Sequence, residues 1–177
     1  MIRGPVWLGC GLCLLASCGE TSGVGDPCVP EDEVNADFAG FSLGEVSVES
    51  GSVQCESRLC IVNHFQGRVG CAQGQEEGQG SCRTANGDDV TSAVKAWDLD
   101  RPASSTVYCS CRCDGPTTGA RYCECPSGYS CRKLIDNLGL GQDELAGSYC
   151  IKDGTEFKPT QEGGPTCRTD PTDPVCR

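Results

Sequence analysis

The sequence predicts a small disulfide-rich fold, mainly β with short antiparallel strands, one short helix and long irregular loops. Three observations carry that prediction. Seventeen of the 177 residues are cysteine, a density characteristic of compact exported scaffolds. Large aromatic side chains are scarce and long stretches are rich in Gly, Gln and Ser, so a hydrophobic core alone would be small and cross-links would have to supplement it. Apolar residues alternate over short runs, the period of half-buried strands.

Residues 1–17, MIRGPVWLGCGLCLLAS, place one cation, Arg3, before an apolar run from Val6 to Leu15, then the small residues Ala16 and Ser17 ahead of Cys18. A positive start, an apolar middle and a small-residue cleavage site are the three parts of a secretory signal. The run is well short of the ~20 residues that span a bilayer as a helix. Leu15-Ala16-Ser17-Cys18 also resembles the lipobox of bacterial lipoprotein precursors. That resemblance implies cleavage before Cys18, thioether attachment of diacylglycerol to its sulfur, and acylation such as palmitoylation of the new amino group. Two or more chains anchor stably, at about 0.8 kcal/mol per buried methylene. Gly19 in place of Asp after the cysteine implies the outer membrane of a two-membrane bacterium.

Beyond the signal peptide, 1–17, the expected organisation is a tether over 18–27, a disulfide-rich domain over 28–158 and a Pro/Thr-rich tail over 159–177. Within the domain, sub-segments 28–72 and 93–158 flank a polar loop, 73–92. Val46 and Val48 alternate with Glu45, Ser47 and Glu49, and Val53 and Cys55 continue the pattern; Leu59–Val62 and Arg68–Cys71 are further strand candidates. The loop is pinned at Cys82 and turns at Asn86-Gly87. Tyr108-Cys109-Ser110-Cys111-Arg112-Cys113 and Tyr122-Cys123-Glu124-Cys125 share Y-C-x-C and suggest two strands of a hairpin, with Cys109, Cys111 and Cys113 on one face. Ser130–Leu138 reads as the short helix, on the stripe Leu134, Ile135 and Leu138 with Gly139 as its stop. Ser148–Lys152 is the closing strand.

With Cys10 and Cys13 lost in the signal and Cys18 lipidated, fourteen cysteines remain: Cys28, Cys55, Cys60, Cys71, Cys82, Cys109, Cys111, Cys113, Cys123, Cys125, Cys131, Cys150, Cys167 and Cys176. An even set in an exported chain is expected to be oxidised. Their connectivity is open, apart from the short span that favours Cys167 with Cys176. "GDPC" ending at Cys28, Cys55-x-Ser57-x-x-Cys60, and Cys125-Pro126-x-Gly128-Tyr129-x-Cys131 with Tyr149-Cys150 resemble cysteine-rich surface lipoproteins of predatory soil bacteria. The resemblance implies a small disulfide module and no particular activity. Cys123-Glu124-Cys125-Pro126-Ser127-Gly128-Tyr129 resembles the end of an EGF-like domain, but Cys131 follows Tyr129 too closely to complete that pattern.

Other chemistries are weakly marked. The close spacing of Cys109, Cys111, Cys113, Cys123 and Cys125 would suit a thiolate metal cluster, but zinc spacings are missing, so no metal or other cofactor is expected. His64 is the single histidine and has no G-x-S-x-G or similar nucleophile beside it, so no enzyme activity is expected. Glu31-Asp32-Glu33, Asp88-Asp89 and Asp98-x-Asp100 do not fit a calcium loop. A formal charge of −11, about −12 once Arg3 is removed, disfavours nucleic acid as a partner. The expected role is a non-catalytic binding or envelope-structural module, held to the membrane through Cys18 and meeting a protein or glycan at the envelope. Two alternatives stand beside it: a protease inhibitor presenting 114–121, DGPTTGAR, with Arg121 as specificity residue, and a metal-binding protein.

Overall fold

A computed structural model describes residues 23–137, 139, 143–158 and 164–177. Among the described residues the chain is mainly β, as expected, with two three-stranded antiparallel sheets. Strands β1 (Val46–Ser50), β2 (Leu59–Asn63) and β3 (Val107–Ser110) form the first in that order. In the second, β6 (Gly147–Lys152) lies between β4 (Arg112–Asp114) and β5 (Tyr129–Ile135). Among the described residues, no helix is long and apolar enough to cross a membrane.

Period-two alternation sorts β2 between two cores. Cys60 and Val62 pack with Cys28, Phe41, Cys55, Phe65, Val107 and Cys109 on one side. Ile61 and Leu59 pack on the other, with Tyr108 and with Tyr149 and Ile151 of the second sheet. That second cluster joins the sheets, and polar bonds reinforce it. Ser110 Oγ donates to the Cys150 carbonyl at 2.9 Å, and Lys152 N donates to the Tyr108 hydroxyl at 2.8 Å. The chain itself crosses between the sheets at Cys111, which separates β3 from β4.

The structure corrects several local expectations. The segment 130–138, read as a helix, contributes strand β5 as far as Ile135; Leu138 lies outside the described residues. A three-residue stripe offers a helix little burial, whereas the strand gains a ladder with β6. A register shift between Lys133 and Ile135 lets the adjacent Leu134 and Ile135 both reach the apolar cluster. The short helix lies elsewhere, at α1 (Ala103–Thr106), where Thr106 Oγ1 and Ser105 Oγ donate to the Pro102 carbonyl; it runs directly into β3. The 108–113/122–125 hairpin does not form: 122–125 is not a strand and meets β4 through one backbone bond, Cys123 N to the Arg112 carbonyl at 3.1 Å, while β4 pairs with β6 on its other side. Since the chain changes sheets at Cys111, Cys109 packs in the first core, away from Cys111 and Cys113, which both lie against the Cys125–Cys150 bridge. Val53 and Cys55 lie at turns, and 68–71 is not a strand; its neighbour Gly67 makes a single bridge to Phe41.

Two buried arginines tie loops to this frame. Arg68, fully buried, donates to the carbonyls of Glu33, Asn35 and Phe38 and lies over the Phe38 ring. Arg101 donates to the carbonyls of Asn63, His64 and Thr155. The loop 73–92 turns at Asn86-Gly87, with Gly87 at φ +90°, and Cys71–Cys82 pins it. Residues 164–177 close on the body. Cys167 N donates to the Trp97 carbonyl, Leu99 N donates to that of Pro165, and Cys167 and Cys176 cluster with Ala96, Trp97 and Leu99.

Candidate functional site

All fourteen cysteines from Cys28 to Cys176 are in disulfides. The pairs are Cys28–Cys60, Cys55–Cys109, Cys71–Cys82, Cys111–Cys123, Cys113–Cys131, Cys125–Cys150 and Cys167–Cys176. Cα–Cα separations run from 5.3 to 6.2 Å, the range a bridge requires. Cys18 lies outside the described residues. The expected link between Cys167 and Cys176 is present.

The sulfurs gather in groups. Cys28, Cys55 and Cys109 bring theirs within 4.8 Å of one another, as do Cys111, Cys123 and Cys150, and Cys113, Cys125 and Cys131. Such proximity is the geometry a thiolate metal site would need. Sulfurs joined in pairs, however, lack the thiolate charge that ligates soft metals. The sheets explain the crowding: Cys60 faces Cys109 across β2–β3, and Cys131 faces Cys150 across β5–β6, yet each bonds to a third segment.

The loop 114–121 is mostly exposed, and Cys111–Cys123 closes it at its base. Tyr122 OH donates to the Thr117 carbonyl at 3.0 Å, Gly119 takes φ +80°, and the Arg112 guanidinium lies over the Tyr122 ring at 5.4 Å. Arg121 is exposed on the returning limb.

His64 adopts φ +54°, an uncommon conformation for a side-chain-bearing residue. Its Nδ1 donates to the Leu43 carbonyl at 2.8 Å and its ring stacks on Phe157 at 3.9 Å. Burial pushes its pKa below the ordinary histidine value, opposed by that hydrogen bond and aided by nearby Arg101. The imidazole is thereby held as a packing element. The acidic clusters also have structural partners. Glu33 is buried and accepts from the amides of Val69 and Gly70; Asp98 is buried and accepts from Asp100 N; Asp89 pairs with Arg83. Burial raises the carboxyl pKa of both Glu33 and Asp98.

Sequence reasoning missed the buried roles of Arg68 and Arg101, which no local motif marks. It also missed a surface groove of about 520 Å³ between the tail and the body, lined by Phe41, Gln66, Val94, Lys95, Thr166 and Arg168. Arg168 and Glu76 pair at that groove with both side chains substantially exposed, an arrangement worth at most about 1 kcal/mol.

At its start, the described chain is docked. Gly25 N donates to the Cys109 carbonyl and Cys109 N to that of Asp26, both at 2.8 Å, so 25–27 line the free edge of β3. Gly25 sits at φ +97°, and a Cβ there would collide with the Tyr129 hydroxyl. Against known proteins, no family model, no curated protein and no solved structure matches this chain.

Proposed function

We propose that this protein is an exported, lipid-anchored display module with a non-catalytic binding or envelope-structural role, cut before Cys18 and acylated there. The observation that carries the reading is the disulfide set. All fourteen cysteines after residue 18 are oxidised in pairs, a state that an oxidising compartment sustains and cytosolic thiol pools oppose. The lipobox-like Leu15-Ala16-Ser17-Cys18 supplies the route of export and a use for Cys18 outside the pairing scheme. Gly25 is already docked on β3, so at most seven residues, 18–24, separate Cys18 from that contact. Seven residues reach at most about 25 Å, which holds the body close to the membrane, with the outer membrane implied by Gly19. A protein or glycan of the envelope is the partner class, and the groove by the tail is a concave face that could receive it.

The test is the mass and fractionation of the protein expressed in a two-membrane bacterium. The expected product begins at Cys18, carries acyl mass and sediments with membranes, while Cys18→Ser is neither acylated nor membrane-bound. A mature chain that begins elsewhere without lipid would overturn the reading.

One observation favours a second reading, protease inhibition: the exposed, disulfide-closed loop 114–121 presents Arg121 from a cross-linked base. Pre-organisation of this kind reduces the entropy lost on binding. Titration against trypsin-like proteases decides it, and no inhibition at micromolar protein removes it.

A further inference from the structure

Three of the seven disulfides form a continuous stack. The central bridge, Cys125–Cys150, touches a different neighbour at each end. Its Cys150 sulfur lies 3.6 Å from that of Cys111 and 3.8 Å from that of Cys123, which are joined to each other. The Cys125 sulfur lies within 4.8 Å of both Cys113 and Cys131, which form the third bridge. Burial varies along the stack: Cys131 is exposed, Cys113, Cys125 and Cys123 are half-buried, and Cys150 and Cys111 are buried, so entry is open at Cys131 and the middle of the stack is shielded. Disulfides exchange when a thiolate attacks a neighbouring disulfide sulfur, and contact between bridges supplies the proximity that step requires.

We propose that this stack is a thiol–disulfide exchange site for a dithiol, with Cys131 as the point of entry and Cys125–Cys150 as the relay to Cys111–Cys123. A thiolate of the dithiol attacks Cys131 Sγ, forming a mixed disulfide and expelling the Cys113 thiolate. Cys113 attacks Cys125 Sγ, making a Cys113–Cys125 bond and releasing Cys150. Cys150 attacks Cys111 Sγ, making Cys111–Cys150 and releasing Cys123. The second thiol of the dithiol then resolves the mixed disulfide and frees Cys131. The dithiol leaves as a disulfide, and the protein gains two electrons and two protons as thiols at Cys123 and Cys131, with two bridges kept in new pairings. No step depends on the lipid anchor or on the partner proposed above.

The decisive experiment treats the full mature chain with limiting dithiothreitol, quenches in acid, alkylates and maps the singly reduced species without further reduction. Cleavage after Arg112 and Glu124 separates Cys111 from Cys113 and Cys123 from Cys125. The expected map has label at Cys123 and Cys131, no label at Cys113, and the new links Cys113–Cys125 and Cys111–Cys150. Label at Cys113 and Cys131 with the other two bridges intact overturns the relay, as does first reduction at a bridge outside the stack. Label at Cys150 in place of Cys123 overturns the inner step. As a control, the double variant Cys125→Ala/Cys150→Ala is expected to trap the thiols at Cys113 and Cys131. The wild-type map decides the question even if that variant does not fold.

Discussion

Deleting the Cys55–Cys109 bridge should destabilise the protein more than deleting Cys167–Cys176. The two bridges span 54 and 9 residues of sequence. The loop-closure relation assigns about 4.2 kcal/mol to the longer span and about 2.6 kcal/mol to the shorter. Cys71–Cys82 lies inside the longer loop and short-cuts it, which trims its value by only about 0.2 kcal/mol because closure entropy is logarithmic in length. Both bridges are buried, so the packing lost on replacing each pair with alanine is similar and the difference reflects chain entropy. The Cys55→Ala/Cys109→Ala variant should therefore be less stable than Cys167→Ala/Cys176→Ala by about 1.4 kcal/mol. For a chain of this size that separates their melting temperatures by roughly 3–6 °C. Urea unfolding of the oxidised proteins, with free thiols alkylated, measures it. If the tail variant proves equally or more destabilised, the entropic account is wrong for this fold.

Arg68→Met should cost about 3–5 kcal/mol in urea unfolding, because it strands three carbonyls and leaves the buried Glu33 carboxylate without its neighbouring cation; adding Glu33→Gln should recover part of the loss. Burial lowers the His64 pKa in the folded state, so the folded protein binds fewer protons than the unfolded chain just below pH 6.5. Stability should fall as pH drops through that window, and His64→Asn, which tolerates the same backbone, should flatten that part of the profile. Burial pushes the Tyr108 hydroxyl up to about 12. Its contribution to stability is complete below pH 10 and is lost as pH rises towards 12, and Tyr108→Phe should remove a late step from the tyrosinate absorbance titration.

Local pattern and tertiary structure divided the work unevenly along this chain. Val46–Val48, Leu59–Val62 and Ser148–Lys152 were legible as strands because alternation is written into consecutive residues, and the turn at Asn86-Gly87 because glycine reaches φ +90° without a steric penalty. The segment 130–138 misled because its three apolar residues satisfy a helical stripe as well as a bulged strand, and only the ladder with β6 separates the two. Arg68 and Arg101 look like surface cations in sequence. They are buried because loops from distant parts of the chain aim carbonyls at them.

By itself, the sequence determined that this would be a disulfide-dependent, mainly β protein: too little apolar bulk for a large core, with many cysteines to brace it. Apart from Cys167–Cys176, favoured by its short span, which cysteine met which was decided only in three dimensions. Cys60 lies opposite Cys109 and Cys131 opposite Cys150, yet neither pair is bonded, since Cys28, Cys55, Cys113 and Cys125 arrive from other segments with the shorter sulfur approach. For these four bridges, which join cysteines 18 to 54 residues apart, pairing follows from the packing of distant segments, and local spacing carries no record of that packing.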